Sequence, residues 1–538
     1  RNGHILGISL SYEPDAGAYI NADCLDESAE EKMQELFDKK RMVFHNAKFD
    51  IPMFEFHFNV KLSRFEDTML MHYMLDENPG THGLKMLAMK YTDYGDYEKP
   101  MYAWMDEYRK QNGVLKNDFK WEWIPFEVMK DYAAIDATVT FLLFEKFEKA
   151  MKKGNPNLLR VYRDILLPAC RFLMSVQDNG VPFCKDRLLA SQDLMLEEIT
   201  EAVETLQNHA AVIEFQEKEG KEFNPNSVLQ LRKLLFDYAK LEPTGIKTEK
   251  GENSTNSEVL ERLALQHEIP QLILNVRKKT KIKNTYLDKI LPQLDRDDRL
   301  RTGFNLHGTT SGRLSSSGKM NMQQIPRDNP IVKGCIRAKD GHKIVAMDLT
   351  TAEVYVAAVL AKDENLMNVF KSGGNFHSSI AKLVFNLPCE ADEVVDLYPT
   401  QRQAAKAVTF GIMYGAGASK ISQQVTADSG KHFSRTDAQE VIDDYFRQFS
   451  NLRKWIDMSS KFIMDNGFIY GATGRKRRLP NVKSDNQGIQ GHEVRSGLNF
   501  LVQSVASDIN LLGGIEMNEY IKNNSMKSKI IQYIIIFV

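Results

Sequence analysis

Arg402-Gln-Ala-Ala-Lys406-Ala-Val-Thr-Phe410-Gly-Ile-Met-Tyr414-Gly415 is the stretch from which the rest of the chain is read. Arg402, Lys406, Phe410 and Tyr414 follow one another at four-residue steps, which on an α-helix places them on one drifting face. That face opens with two cations and closes with two aromatic rings. A nucleoside triphosphate has the same layout, an anionic tail at one end and a flat base at the other. An Arg fork grips phosphate oxygens, a Lys adds a point charge, and the rings offer a surface to sugar and base. The competing reading is an amphipathic helix with a solvated basic end and an aromatic core end, and four residues do not separate the two.

Bulk properties narrow the classes. The 538 residues leave room for several domains, and 43% hydrophobic with 26% charged residues reads as globular. A net charge of −2 excludes a protein that binds nucleic acid with its whole surface. Contact with DNA must therefore come from local patches, and two runs qualify, Arg277–Lys283 and Arg475–Arg478. The five cysteines are scattered, with no Cys-x2-Cys pair and no zinc spacing, which fits a reducing cytoplasm. No signal peptide and no bilayer-length apolar run is present. The first residue is Arg rather than Met, which reads as a fragment or a processed product.

Arg-x3-Lys-x3-Phe-Gly-x2-Tyr-Gly resembles motif B of the family A DNA polymerases, the bacterial polymerase I and phage replicase group. That resemblance implies a fingers helix whose Arg402, Lys406, Phe410 and Tyr414 bind the incoming dNTP. Other segments extend it. Lys343-Ile-Val-Ala-Met-Asp348-Leu-Thr-Thr-Ala-Glu353-Val reads as a buried apolar strand delivering Asp348 to the start of a helix. It resembles motif A, which implies that Asp348 and the Leu349 carbonyl hold Mg²⁺ and that Glu353 is the steric gate against a ribose 2′-OH. Tyr355 departs from the family's common Arg. The wording Asp-Leu-Thr-Thr-Ala-Glu-Val is similar to a T5-like phage branch. Asn375-Phe-His377 resembles a segment whose His lies near the triphosphate. Thr310-Ser-Gly-Arg313, Asn321-Met-Gln-Gln-Ile-Pro326 and Arg495-x3-Asn499-x3-Gln503 resemble primer–template contacts, with Arg313, Gln323, Arg495, Asn499 and Gln503 as the DNA-binding side chains. Minor-groove acceptors are common to all base pairs, so such donors check geometry without reading sequence. Tyr470 to Pro480 resembles the return from fingers to palm.

The N-terminal part reads as α/β. His4–Tyr12 and Ala16–Ile20 are strand-like, Arg41–Phe44 is a short buried strand, and Pro125–Met151 is a long helix. Asn46-x3-Asp50 and Tyr132-x3-Asp136 resemble the second and third motifs of 3′→5′ proofreading exonucleases. Phosphodiester hydrolysis with two metal ions needs several carboxylates close together, and a Tyr hydroxyl can orient water. The resemblance implies Asp50 and Asp136 as metal ligands, Tyr132 as the water-orienting catalytic group and Asn46 beside them. Phe65-Glu-Asp67 and His82-Gly-Leu-Lys-Met-Leu87 resemble further segments of that domain. The family's first Asp-x-Glu has no counterpart before His4, and Asp96-Tyr-Glu98 lies outside the core strands.

These readings give an RNase H-like exonuclease domain followed by a right-hand polymerase domain. The expected division is exonuclease-like 1–157, helical thumb 158–295, palm 296–355, fingers 356–465 and palm again 466–538. The expected chemistry is attack of a primer 3′-OH on the dNTP α-phosphate with loss of pyrophosphate, in DNA replication. Asp348 and Lys406 are its catalytic residues, with two Mg²⁺ ions and Mn²⁺ as a substitute. Primer–template DNA and dNTPs are the partners, with no membrane, in a bacterial or phage-infected cytoplasm. Two rivals stay open: a single-subunit RNA polymerase, and a catalytically dead DNA-binding remnant. The second arises because the apolar run Lys529–Val538 reads as a palm strand that stops where the family's His-Asp pair would follow.

Overall fold

The computed structural model describes residues 3–318, 320–326, 329–349, 351–413 and 415–532. Strand Gly7–Glu13 pairs antiparallel with Ala16–Asn21, Ile8 facing Ile20 and Leu10 facing Ala18, through a turn in which Asp15 has φ 61°. Met42–Phe44 pairs parallel with Phe65–Asp67, and the helix Ala47–His57 supplies the crossover that a parallel pair requires. The helix Phe126–Lys153 packs on both strands of the antiparallel pair. Val139, Leu143, Phe147 and Met151, at four-residue spacing, are each no more than 1% exposed. Each such side chain stabilises the fold by about 1.5–3 kcal/mol relative to exposure.

Asp67 ends its strand and fastens two helices. Its carboxylate accepts from the N–H groups of Ala47 (2.8 Å), Asn46 (3.3 Å), Met69 (2.9 Å) and Leu70 (3.2 Å). Burial raises its pKa even against these four bonds. The segment Phe65-Glu-Asp67 is thus a structural clasp, capping Thr68–Leu75 in the usual N-cap manner.

Four histidines gather nearby. His72 Nδ1 lies 2.8 Å from His82 Nδ1, and the His82 ring sits edge-on to His307 at 5.7 Å. His45 Nδ1 lies 2.8 Å from the Thr68 hydroxyl. Burial first, then the neighbouring rings, lowers the pKa of His45 to about 3; burial and the His82 ring take His72 and His307 to about 4. Asp76 opposes this at His72 and His82, while Lys90 and Lys48 reinforce it at His72 and His307. Folded-state values below the unfolded 6.5 mean that stability is fully present above pH 6.5. It is lost as pH falls toward 4. A fall from pH 7 to pH 5 is expected to cost on the order of 1 kcal/mol per ring. Melting temperature against pH checks it, and replacing His82 by Gln should flatten the curve.

The chain divides into two compact units. One comprises Arg1–Val176, Phe304–Ser315 and Asp348–Val538, the other Gln177–Gly303 and Ser316–Met347. The second unit is mainly helical, with Lys185–Gln207, Ala210–Glu219, Ser257–Leu263 and Glu268–Lys281 packed around Leu206, Phe215, Leu260 and Ile273. Ser227 caps Val228–Arg232, its hydroxyl accepting from Gln230 N–H. The basic run in this unit is only partly outward. Arg277 donates to the carbonyls of Pro225 (3.1 Å) and Thr255 (3.2 Å), Lys279 pairs with Glu198 and Lys283 with Asp288. Lys278 and Lys281 are the exposed members.

In the first unit, helices Ala418–Ser429, Arg435–Gln448 and Ser450–Asn466 follow Pro399–Met413. Two expectations fail or fall outside. Residues 343–349 are exposed and form no strand, with Val345 at 77% and Met347 at 71% exposure. An apolar run becomes a buried strand only when a ladder partner and a covering layer exist, and among the described residues no strand pairs with it. Of the terminal run, 533–538 lie outside the described residues, and 529–532 carry no strand; Ile530 packs, half-buried, against the core.

Candidate active site

The helix Pro399–Met413 carries Arg402, Lys406 and Phe410, all half-buried, while Ala404, Ala405 and Val408 on its other side are fully buried. Tyr414 lies outside the described residues. Against this helix packs Phe376–Val384, whose N-cap Asn375 accepts from Ser378 N–H at 3.2 Å. Arg402 Nε donates to the Ser378 hydroxyl at 3.2 Å, and Nη2 reaches Asn375 Oδ1 at 3.5 Å. The His377 ring stands 5.4 Å from that of Phe410. Burial first, then the charges of Lys406 and Arg402, lowers the His377 pKa to about 4, so the ring is neutral near pH 7. The two cations, a neutral imidazole and a phenyl ring thus share one face. That face can hold an anion at one end and an aromatic group at the other.

Glu353 opens the helix Ala352–Ala361 and is 4% exposed. Its carboxylate forms an ion pair with Arg313. The backbone ahead of Arg313 is tied down by the Ser507 hydroxyl, which donates to the Gly312 carbonyl at 2.7 Å. Gly312 has φ +82°, and a Cβ there would lie 2.9 Å from Arg475 Nε, so both conformation and space demand glycine. Arg475 is itself buried. It grips Asp508 through contacts of 2.8 and 3.1 Å, which keep it protonated despite burial. Arg478 pairs with Glu77 and donates to the Leu75 carbonyl at 2.7 Å. In the run 475–478 these two arginines are therefore structural, not a phosphate patch.

Arg495, Asn499 and Gln503 lie on one face of the helix Gln487–Asn523, as their spacing predicts. With Thr310, Ser311 and His492 they line a cavity of about 310 Å³. His492 was not singled out by sequence; three residues before Arg495, it shares that helical face. Arg495 also packs on Gly415, which has φ +68° and would bring a Cβ to 2.3 Å from Arg495 Cδ. Gln323 lies in the other unit, in the turn Met322–Gln324.

In the α/β domain, Asn46 precedes the helix Ala47–His57 with φ 71° and makes no side-chain cap. Asp50, in that helix's first turn, has its pKa raised to about 7, by burial first and then by Asp67 and Asp136. Asp136 pairs with Lys85 and accepts from the Tyr97 hydroxyl. The Lys85 ammonium sits 4.2 Å from the Tyr97 ring centre and 4.1 Å from that of Tyr132. Lys85 and Tyr97 were missed as site residues. Each lay inside a segment already noted, but nothing in one-dimensional spacing brings residue 85 or 97 to residue 136. Asp96 pairs with Lys99, and so does not extend the carboxylate set.

Among the described residues, no group of three or more His, Cys, Asp or Glu side chains is placed to share a metal ion. Asp50 and Asp136 make two carboxylates with a lysine on one of them, and Asp348 is exposed and belongs to no such group among the described residues. Neither donor set is complete for a divalent cation.

Residues 193–534 match the sequence profile described as DNA polymerase family A, and residues 2–152 that of the 3′-5′ exonuclease. The chain is 46% identical to the DNA polymerase of Escherichia phage T5, over 97% of this chain and 64% of that protein. It is 34% identical to the thermostable DNA polymerase I of Thermus thermophilus, over 71% of this chain and 44% of that protein. For DNA polymerase I of Caldicellulosiruptor bescii the identity is 29%, over 87% and 49%. The chain thus spans less than two thirds of the length of these relatives. Its fold matches a solved structure, the POL domain of Pol1 from M. smegmatis in complex with DNA primer–template and dNTP. The TM-score is 0.76 at 24% identity, covering 96% of this chain and 83% of that one.

Proposed function

This chain belongs to DNA polymerase family A, and from that premise we propose that it adds dNTPs to a primer 3′-OH along a DNA template, with an associated 3′→5′ exonuclease domain. The observation that carries the reading is the shared face of Arg402, Lys406, His377 and Phe410. Arg402, held by Ser378 and Asn375, and Lys406 bind the triphosphate. A neutral His377 donates to a phosphate oxygen without adding a third charge, and Phe410 with Tyr414 packs against sugar and base. Arg313, Gln323, Arg495, Asn499 and Gln503 hold primer–template through contacts common to all sequences.

The divalent cation proposed is Mg²⁺, with Mn²⁺ as an alternative. Asp348 and the Leu349 carbonyl are its donors on the polymerase side, Asp50 and Asp136 on the exonuclease side. Asn46 and Tyr132 complete the exonuclease residues, Tyr132 orienting water. The five-part division into exonuclease, thumb, palm, fingers and returning palm belongs to the same proposal, as does action in a bacterial or phage-infected cytoplasm. Among the described residues no helix is long and apolar enough to cross a membrane.

Primer extension by the native-length protein with dNTPs against NTPs tests the reading. Preference for NTPs, or no extension with either, overturns it. Glu353→Ala is expected to raise ribonucleotide incorporation by on the order of ten- to a hundredfold, because a buried side chain beneath the 2′ position is gone. It also removes the carboxylate that ion-pairs with Arg313, so primer–template affinity should fall in the same variant. Phe410→Tyr should ease dideoxynucleotide incorporation, its hydroxyl replacing the missing 3′-OH contact. Unchanged sugar selectivity in both variants sinks the assignment of this face.

A further inference from the structure

We propose that a basic groove remote in sequence from the catalytic motifs holds the sugar–phosphate backbone of a single DNA strand. The groove has a volume of about 890 Å³. Its cations come from separate elements: Lys40 after the helix Ala29–Lys39, Arg64 before the strand Phe65–Asp67, Arg163 in the π-turn Tyr162–Leu166, and Lys522 in the last turn of Gln487–Asn523. All four are exposed, and none makes an ion pair among the described residues. Neighbouring cations differ. Arg41 is held by Glu66 and Glu148, and Arg171 by Glu55 and the Leu62 carbonyl at 2.6 Å. The protein thus neutralises part of this cluster internally and leaves four charges directed at one space, in a chain whose net charge is −2.

The lining decides the class of occupant. Its aromatic residues Phe37, Phe65 and Phe172 are at most 8% exposed and belong to the core. A protein partner is normally anchored by exposed aromatic or aliphatic side chains in a pocket, and the groove offers none. Bases find no free ring to stack on. Asp38 and Glu519 line the same space, but the Lys and Arg side chains outnumber the carboxylates, leaving a concave basic surface that suits phosphate oxygens and carries no sequence preference. Binding of this kind weakens steeply with salt, with a log–log slope of about −0.7 per neutralised phosphate on a single strand.

The test uses the native-length protein saturated with primer–template, so that its other DNA sites are filled. Anisotropy of a labelled oligothymidylate then reports the groove, measured across a range of salt concentrations. The combined variant Arg64→Gln, Arg163→Gln, Lys522→Gln is expected to lose affinity tenfold or more at low salt. Its slope should be shallower by about 2, with extension of a short primed template unchanged. Because the exchanged groups are exposed and unpaired, the melting temperature should hold. Should the triple variant be poorly folded, Lys40→Gln with Lys522→Gln carries the same comparison with a slope change of about 1.4. The proposal is overturned if the saturated wild type binds no oligothymidylate, if the variants bind as the wild type does, or if duplex DNA or polyglutamate binds more tightly than the single strand.

Discussion

Asp348→Asn in the native-length protein is expected to lower the rate of primer extension by about three orders of magnitude or more. The substitution keeps the shape of the side chain and removes its charge. Asp348 lies five residues ahead of Glu353, whose position is fixed by burial and by its ion pair with Arg313. Phosphoryl transfer concentrates negative charge on the reacting phosphates, and a carboxylate at this point is what can recruit a compensating cation. Because Asp348 is exposed, the change should leave the melting temperature alone. Primer–template affinity should also hold, since the contacts proposed for DNA come from Arg313 and from the helix bearing Arg495. Single-turnover extension, read beside anisotropy for DNA binding, separates the steps. A variant within tenfold of wild type removes Asp348 from the proposed chemistry.

Lys406→Ala is expected to cost about a hundred- to a thousandfold in the rate of nucleotide addition, the usual scale for losing one preorganised charge on a developing anion. Lys406 sits one helical turn from both Arg402 and Phe410 and is half-buried. The rest of the cradle stays in place, because Arg402 is held by Ser378 and Asn375 independently of Lys406. A second readout does not depend on turnover. After burial, the Lys406 charge depresses the His377 pKa more than Arg402 does, so its removal should raise that pKa above about 4, visible by titrating the ring resonance. Loss of DNA affinity with normal dNTP use would contradict the assignment.

Motifs whose members lie on one regular element were legible without coordinates. Arg402, Lys406 and Phe410 share a helix, as do Arg495, Asn499 and Gln503, and as do Tyr132 and Asp136. On a helix, spacing is geometry, so reading the spacing reads the face. The same reasoning led to the family and to its phage T5 relative.

Charge and strand character were less legible, because both depend on partners from elsewhere in the chain. The Arg475–Arg478 run looked like a phosphate patch until Asp508 and Glu77 were found beside it. Lys85 and Tyr97 meet Asp136 only because two segments converge on one helix, and Glu353 meets Arg313 across a separation of forty positions. Residues 343–349 have the composition of a buried strand, yet are exposed where no ladder partner among the described residues covers them. Helical periodicity is set by hydrogen bonds within the segment, so the sequence by itself determined the helices and the faces they present. A strand's burial, an ion pair's partner and a groove's unpaired charge are set by atoms far away in the chain, and only the tertiary structure could decide them.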